Sequence, residues 1–339
     1  MTQRCVKAVF NIRTPVTTTK HEPTATVRVL KEYLIGTGGW AYFQIPGLNP
    51  LVAYSRVFNF VEVNSTFYHI PTTEEAENWR KLVPPDFKFS VRAHHSITHN
   101  QTLRPRRETL ETLEKMKHTC SILKAEILHL QTPPTLKPTK AFADDLRDLL
   151  GSVNLSELRL ALEIRAAKPP NLPPDLLKTM QDHNLVHAVD LSKGETPAYE
   201  SDTLYTRLFG KGKHNVYQPT DEELTYIDTK ASSAKSEKVV MSFHFVRMYK
   251  DAARLKTYKQ NGKFPNITRS TGLSSLEEVL REDVKFPTTR QELIRSQGWK
   301  LFDLTKTEKA HAEDLLHKLP ERTYNDINEI TGTLQSVVR

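Results

Sequence analysis

Cysteine is scarce in this 339-residue chain, with Cys5 and Cys120 the only two. Two thiols are too few for a disulfide scaffold or for a cysteine-based zinc ribbon. Such usage is typical of a reducing compartment, so the sequence predicts a cytoplasmic protein.

Long apolar runs are missing as well. No uninterrupted stretch approaches the roughly 18 apolar residues that a membrane-spanning helix needs. The first residues contain no apolar segment of the kind that marks a secretory signal. An integral membrane protein is therefore excluded, and no membrane partner is expected.

Acidic residues are few at the N-terminus, which makes that segment basic. Residues 1–33 carry six basic and two acidic side chains, and the whole chain has a formal net charge of +8. Pro15 and Pro23 would interrupt an amphipathic helix there, so we predict a flexible basic extension over residues 1–33. Clustered Lys and Arg neutralise phosphates, and this charge permits DNA or RNA as a partner without requiring one.

From Tyr33 onward, short apolar runs alternate with segments of helical periodicity. The runs are nearly continuous, as is typical of strands buried on both faces of a parallel sheet. Eight strands are predicted, at residues 33–36, 60–64, 87–93, 126–131, 159–164, 185–190, 204–208 and 238–243. Helices are predicted at residues 50–58, 72–82, 106–123, 140–150, 173–183, 220–232 and 249–260. This alternation over residues 34–262 favours an α/β fold, a (β/α)₈ TIM barrel, over an open doubly wound sheet.

Several strings in the first third of the chain resemble a known family. They are Ile35–Trp40 (Ile-Gly-Thr-Gly-Gly-Trp), Phe60–Tyr68 with its Glu-x-Asn-Ser-Thr-Phe-Tyr, Phe87–Ala93 and Ile97–His99. Together they resemble the YecE-like domain-of-unknown-function family, and the match extends over about residues 34–260. The resemblance implies a TIM barrel, in agreement with the strand count. It implies no particular reaction, because the family carries no settled one.

The sequence departs from the family pattern at several strand ends. Gly38 stands where the family usually has Ser, and Arg92 where it has Lys. His94 replaces a Pro, Ala166-Ala167 replace His-Pro, and His244-Phe245 replace Asn-Asn. The pocket chemistry of the family need not carry over at these positions.

The last part of the chain resembles a second, smaller family. Phe286–Ile294 and Leu315–Asp326 look like a small helical domain of unknown function, with an aromatic-Pro-x-Thr helix start and a Leu-Pro-x-Arg-x-Tyr turn. We therefore predict a linker over residues 263–285 and a small helical domain over residues 286–339. Such a module is more often a docking unit than an active site, so a protein partner is expected there.

Three arginines are expected at the functional face, because catalytic groups of a TIM barrel lie at the carboxyl ends of its strands. Arg92, Arg165 and Arg207 follow strands 3, 5 and 7 of the prediction. Arginine holds phosphate or carboxylate through paired hydrogen bonds, so three at one mouth indicate an anionic ligand. Basic clusters at residues 104–107 and 211–214 are expected on the same rim, unless they are ordinary solvated loop charges.

Glu62, Glu163 and Asp190 are the candidate catalytic residues. Glu62 and Glu163 lie on strands 2 and 5, and paired carboxylates with shifted pKa values suit acid–base work on a glycosidic or phosphodiester bond. Asp190, at the end of strand 6, would support them. The alternative is that Glu62 with Arg165, or Glu163 with Arg207, forms a structural ion pair.

Other strand-end residues are expected to bind the ligand: Gly38, Trp40, Asn64, Tyr68, Gln131 and His244. The glycines around Gly38 would either cradle phosphate with backbone N–H groups or form a tight turn that lets Trp40 fold over the mouth. The 13 histidines include no His-x-His or His-Glu-x-x-His spacing, so no metal site is predicted. The cofactor stays unknown.

Three functions remain open at this point. The rim charge and the basic extension favour an enzyme that cleaves nucleic acid at an N-glycosidic or phosphodiester bond. A small sugar-phosphate hydrolase or isomerase would use the same pocket without the rim. The third is a non-catalytic ligand-binding barrel whose C-terminal helices recruit a partner. Polynucleotide binding would fall steeply with added salt, whereas binding of a small enclosed ligand would not.

Overall fold

A barrel of parallel strands organises the part of the chain that the computed structural model describes, residues 31–167 and 171–337. Its strands are β1 Glu32–Thr37, β2 Phe60–Val63, β3 Lys88–Arg92, β4 Ile127–Gln131, β5 Arg159–Glu163, β6 Val186–His187, β7 Thr203–Leu208 and β8 Lys238–Phe243. They pair in the order β6-β5-β4-β3-β2-β1-β8-β7. A parallel bridge between Val189 and Thr206 joins the two ends of this sheet. The predicted TIM barrel is confirmed.

The seven predicted helices surround the strands. They are α1 Pro50–Ser55, α2 Thr73–Lys81, α3 Arg107–Leu123, α4 Lys140–Gly151, α5 Pro174–Asp182, α6 Asp221–Ser233 and α7 Met248–Asn261. Helices α2 and α6 each begin with a capping box, Thr72 with Glu75 and Thr220 with Glu223. In each box the threonine hydroxyl accepts a hydrogen bond from the backbone N–H of the glutamate. The glutamate carboxylate accepts one from the backbone N–H of the threonine, and the two bonds together fix the start of the helix.

Strand β6 is much shorter than the predicted 185–190, because the backbone changes partners there. The Ala188 N–H still donates to Leu162 O of β5 at 3.0 Å, but the next N–H, of Val189, donates to Tyr205 O of β7 at 3.2 Å. This change of partner closes the barrel.

Alternation along the strands divides the barrel interior into two layers. The lower layer is apolar and consists of Leu34, Phe60, Ile127, Ala161, Val186, Ala188, Tyr205 and Val240. Side chains two residues apart on a strand share a face. The residues two positions beyond Phe60, Ala161 and Tyr205 therefore also face inward, and they are Glu62, Glu163 and Arg207. The interior turns polar toward the carboxyl ends of the strands, which is the functional end of a TIM barrel.

The C-terminal region forms a second apolar core, which includes Leu276, Phe302, Leu316, Tyr324 and Ile330. Its elements are α8 Leu273–Arg281, β9 Thr288–Thr289, α9 Arg290–Gln297, β10 Leu301–Asp303, β11 Lys309–His311, α10 Glu313–Leu316, β12 Thr323–Tyr324 and α11 Ile327–Val337.

Two features of this region differ from the sequence expectation. Helix α8 lies inside the segment predicted as a linker, 263–285, and its Leu276 and Leu280 are fully buried in the second core. The threonine- and serine-rich stretch before the helix is typical of a linker, so the sequence did not indicate the amphipathic helix that follows it. Two antiparallel strand pairs, β9 with β12 and β10 with β11, make the region mixed rather than helical.

Polar contacts join this second core to the barrel. The Leu301 N–H donates to Gln218 Oε1 at 2.9 Å, and Lys309 Nζ lies 2.5 Å from an oxygen of Asp221 on α6. The two regions therefore share a hydrogen-bonded boundary and belong to one compact unit, Lys31–Arg339.

Two expectations concern the ends of the chain and the membrane. The predicted basic extension, residues 1–33, falls almost wholly outside the described residues, and its last two positions already belong to β1. None of the helices in the described ranges combines the length and the hydropathy needed to cross a bilayer.

Candidate functional site

The centre of the polar layer is a buried ion pair between Glu62 of β2 and Arg207 of β7. Arg207 Nε lies 3.1 and 3.0 Å from the two oxygens of Glu62, and a terminal nitrogen lies 2.9 Å from Oε1. The Tyr205 hydroxyl donates a further bond to Glu62 Oε2 at 2.7 Å. Glu62 has no exposed surface. Burial alone would raise its pKa, but Arg207 and His244 hold the pKa of this carboxyl well below its usual range.

Arg207 also binds the second predicted carboxylate, Glu163 of β5. Its other terminal nitrogen donates to Glu163 Oε2 at 2.9 Å, and Gln131 Nε2 donates to Oε1 at 2.7 Å. Burial opposes ionisation of Glu163, but the charge of Arg207 outweighs it and keeps the pKa far below normal. Of the two ion pairs considered from sequence, Glu163 with Arg207 is present. Glu62 pairs with Arg207 rather than with Arg165.

Arg92 of β3 lies in the same layer but has neutral partners. It donates to Asn64 Oδ1 at 2.7 Å and to Gln131 Oε1 at 2.5 Å. Its guanidinium carbon lies 3.7 Å from the ring centroid of Phe67, a cation–π contact. Burial and the nearby Arg207 lower the pKa of Arg92 to about 10, so it stays charged at neutral pH. Among the described residues, no carboxylate is close enough to form an ion pair with it.

Arg165 follows β5 and is exposed at the mouth of the barrel. Its backbone N–H donates to Thr132 Oγ1 at 3.1 Å. Its side chain makes no hydrogen bond or ion pair within residues 31–167 and 171–337. The side chain is therefore available to a ligand.

Asp190 lies beyond β6 at the edge of the same layer. It accepts the Ser192 N–H at 3.0 Å and the Phe209 N–H at 3.1 Å, and Lys193 Nζ lies 3.5 Å from Oδ2. Burial raises its pKa despite these partners. Asp190 is thus the one predicted catalytic carboxylate whose pKa is shifted upward, toward the range of a general acid.

His244 follows β8 and depends on a glycine for its position. Its Nε2 lies 3.0 Å from the Ser242 hydroxyl and 3.3 Å from Glu62 Oε1. Burial, with Arg207 adding to it, lowers the pKa of His244 to about 4, so the ring is neutral at pH 7. A Cβ on Gly38 would lie 2.2 Å from His244 Cε1. Gly38 therefore makes room for the imidazole, whereas the sequence predicted that it binds the ligand.

These groups surround a cavity of about 580 Å³ at the carboxyl ends of the strands. Eight of the predicted site residues line it: Asn64, Arg92, Gln131, Glu163, Arg165, Asp190, Arg207 and His244. The convergence of Arg92, Arg165 and Arg207 on one open space agrees with the sequence expectation.

The other four predicted site residues do not line this cavity. Glu62 is sealed beneath Arg207, and Gly38 packs against His244. Trp40 packs edge-to-face on Trp79, with ring centroids 5.3 Å apart. Tyr68 is 72% exposed and contacts the Phe67 ring. Both aromatic residues follow strand ends, and Tyr68 is near enough to Arg92 to interact with it electrostatically.

Three of the five lysines and arginines in the predicted rim clusters form ion pairs with neighbouring acids. Arg104 lies 3.2 Å from Asp145 Oδ2, and Arg107 lies 2.7 Å from Glu111 Oε1. In the second cluster, Lys211 lies 2.8 Å from Glu223 Oε1. These pairs fit the alternative that the clusters are solvated loop charges.

Sequence reasoning missed His129 and Tyr205, which lie at the floor of the site. Their rings stack with centroids 5.5 Å apart, and Tyr205 also contacts the Ser90 hydroxyl at 2.8 Å. His129 Nε2 lies 3.2 Å from Glu163 Oε2, but the geometry is not that of a hydrogen bond, and neither ring nitrogen has a bonding partner among the described residues. A polar residue two positions before Gln131, inside an otherwise apolar run, was the available indication of an inward-facing group.

No three His, Cys, Asp or Glu side chains come together in the described part of the chain in a way that could hold a metal ion. The histidines near the mouth contact one another and Phe67 instead. His94 and His95 have ring centroids 4.2 Å apart, and His99 lies 5.0 Å from Phe67.

Fold and site together define a TIM-barrel protein with a polar, charge-lined cavity at the carboxyl ends of its strands. A family model described as "Protein of unknown function DUF72" matches residues 34–263. The chain belongs to this family, which confirms the resemblance drawn from the Glu62–Tyr68 string.

Relatives support the same assignment. The UPF0759 protein YecE of Escherichia coli K12 is 38% identical over 58 residues, and this match covers 17% of the present chain and 21% of that protein. A DUF72 family protein from Thermotoga maritima superimposes with a TM-score of 0.55 at 19% identity and covers 68% of this chain and 100% of that one. One from Enterococcus faecalis gives 0.53 at 18% identity, covering 68% and 98%. At this identity the likeness concerns the fold alone.

Proposed function

We propose that the cavity binds a small phosphate-bearing substrate and that the protein is an enzyme that hydrolyses or isomerises it. The observation that carries the proposal is the partner set of Arg92. This buried guanidinium is held by two neutral amides, and its Nε has no partner among the described residues. Glu62 and Glu163 attract it only from beyond ion-pair distance. A buried charge is stabilised by a counter-charge in contact with it, and an anionic ligand in the cavity would supply one. Arg165 supplies a second unpaired cation at the same opening.

The size and the rim of the cavity favour a small ligand over a polynucleotide. A volume of about 580 Å³ falls within the range of roughly 300–1,000 Å³ that is usual for small-molecule sites. Three of the five lysines and arginines in the rim clusters that favoured nucleic acid are paired with Asp145, Glu111 and Glu223. In the described part of the chain Arg106 and Lys213 remain without an ion-pair partner, which leaves two charges there to follow a phosphate backbone.

The shifted pKa values suggest separate roles for the carboxylates. Asp190, whose pKa is raised by burial, would donate a proton. Glu163, kept ionised by Arg207, would be a weak base and would instead stabilise a developing positive charge. Glu62 does not reach the cavity, so it would act as a positioning residue that orients Arg207.

Calorimetric titration with inorganic phosphate and with ribose 5-phosphate tests the binding. We expect both to bind the wild-type protein and expect Arg92→Gln to weaken both at least tenfold. Arg107→Gln is the matched control, because the Arg107 side chain is 88% exposed and pairs only with the next turn of its helix. Equal affinities in wild type and Arg92→Gln would contradict the proposal. Salt-sensitive binding of a DNA or RNA oligonucleotide, without binding of either small probe, would favour the nucleic-acid alternative.

Turnover separates an enzyme from a non-catalytic binding protein. Sugar phosphates can be screened for phosphate release and for aldose–ketose conversion, with Asp190→Asn and Glu163→Gln as the test variants. We expect each substitution to reduce turnover by about 10²–10⁴-fold, the usual contribution of a general acid or base. Binding without turnover of any compound in the panel would instead support the ligand-binding module.

Three broader expectations also remain proposals. They are a cytoplasmic location, a barrel over residues 34–262 with a separate region over residues 286–339, and a protein partner for that second region. Cys120 is a buried free thiol, which is compatible with a reducing compartment.

A further inference from the structure

A second pocket, of about 430 Å³, lies beside the cavity. Apolar and aromatic side chains form most of its wall: Tyr217, Pro219, Tyr226, Ile227 and Phe245.

The two spaces share Lys193, which lines both. Its Nζ lies 3.5 Å from Asp190 Oδ2 and 5.4 Å from the ring centroid of Phe209, two residues on the cavity side. Gly210, the next residue along the chain, lines the second pocket. The two spaces therefore lie on either side of this turn and strand end, and a ligand that occupied both would pass beside Lys193.

The polar groups of the second pocket mostly satisfy one another. Glu223 accepts from the Tyr217 hydroxyl at 2.6 Å and from Lys211 Nζ at 2.8 Å. Glu222 is exposed at the edge and has no hydrogen-bond or ion-pair partner among the described residues. No arginine is among the residues that line this pocket. The lining balances Lys193 and Lys211 against Glu222 and Glu223, so the pocket suits a flat apolar group that carries an N–H donor better than it suits a phosphate.

We propose that the second pocket binds the base of a nucleoside monophosphate whose phosphate is held in the cavity by Arg92 and Arg165. This inference rests on the proposed function, because it takes the cavity as the phosphate site. The ring would pack against Tyr226 and Phe245, and its amino group would donate to Glu222. Lys193 would lie beside the sugar and phosphate. The substrate class is then a nucleotide rather than a bare sugar phosphate.

Titration with adenosine 5′-monophosphate and ribose 5-phosphate tests this assignment, since the two probes differ by the base. We expect the nucleotide to bind at least tenfold more tightly to the wild-type protein. Tyr226→Ser should remove most of this difference and leave ribose 5-phosphate binding unchanged. Tyr42→Ser, at another exposed tyrosine, is the matched control and should leave both affinities unchanged.

Photo-crosslinking with 8-azidoadenosine 5′-monophosphate provides a second measurement that needs no variant. We expect the label on the peptide that contains residues 217–227. Label confined to other peptides, or equal affinity for the two probes, overturns the assignment of the second pocket while phosphate binding stands. If neither probe binds, the proposed function fails and this inference fails with it.

Discussion

The two sides of the cavity use the same residue type in opposite ways. On the β7 side, Arg207 is enclosed by Glu62 and Glu163, so that one guanidinium contacts two carboxylates. On the β3 side, Arg92 is held by the amides of Asn64 and Gln131. Both guanidinium groups are buried, point into the same barrel and line the same space.

The difference shows that the partners of an arginine, more than its position at a strand end, decide what it does. A guanidinium between two carboxylates has few free N–H donors for a further anion. Its removal leaves the two buried carboxylates without a counter-charge. A guanidinium between two amides keeps its position through hydrogen bonds and has no carboxylate in contact with it among the described residues. The β7 side is therefore the structural half of the site, and the β3 side is the ligand-binding half.

The largest expected effect is on folding stability, from Arg207→Met. This change leaves Glu62 and Glu163 without their counter-charge, and breaking one side of a buried pair costs about 3–5 kcal/mol. Arg92→Met removes two bonds to neutral amides and should cost about 1–2 kcal/mol. Urea unfolding followed by circular dichroism measures both. Equal losses in the two variants would contradict the division into halves.

The next largest effect concerns the free energy of unfolding at acid pH, which depends on His244. Because burial lowers its pKa to about 4, the unfolded chain takes up this proton more readily than the folded one between about pH 6.5 and pH 4. Stability is therefore full above this window and falls as the pH drops through it, by about 3 kcal/mol for this group.

His244→Asn removes the titrating ring, so its unfolding free energy should change less between pH 7 and pH 4 than that of the wild type. Urea midpoints at several pH values provide the comparison. Parallel curves for the two proteins would show that this imidazole is not buried beside Arg207.

A smaller effect is expected from Gly38→Ala. The new Cβ would meet the His244 ring at 2.2 Å, and forcing an extra methyl into a packed site costs about 1–3 kcal/mol. Gly332→Ala is the control, since a Cβ there meets nothing within 4 Å and the residue lies in helix α11. Adding His244→Ala to Gly38→Ala should remove the clash penalty. A penalty that persists in the double variant would place its cause elsewhere.

Much of the barrel could be predicted from sequence because its strands are short, apolar and regularly spaced. Strands β5 and β8 begin at the predicted residues, Arg159 and Lys238. The inward direction of Glu62 and Glu163 follows from the period of two along a strand. Helix α8 was missed because its flanking composition resembles a linker.

The pairing inside the barrel could not be derived in the same way. Which arginine reaches which carboxylate depends on the stagger between strands and on side-chain length, and neither is local in sequence. The packing of Trp40 on Trp79, a residue of helix α2, likewise depends on tertiary structure. The sequence did not predict His129 as a site residue, because an isolated histidine in an apolar run also fits an ordinary core position.

The most direct test of the central claim is phosphate binding by Asn64→Asp. This substitution is nearly isosteric and gives Arg92 a carboxylate partner like those of Arg207. Asn78→Asp, on the exposed face of α2, makes the same change in net charge away from the cavity. Calorimetric titration with inorganic phosphate should show at least tenfold weaker binding for Asn64→Asp and wild-type binding for Asn78→Asp. Undiminished phosphate binding by Asn64→Asp would contradict the claim that Arg92 creates the anion site because no carboxylate contacts it.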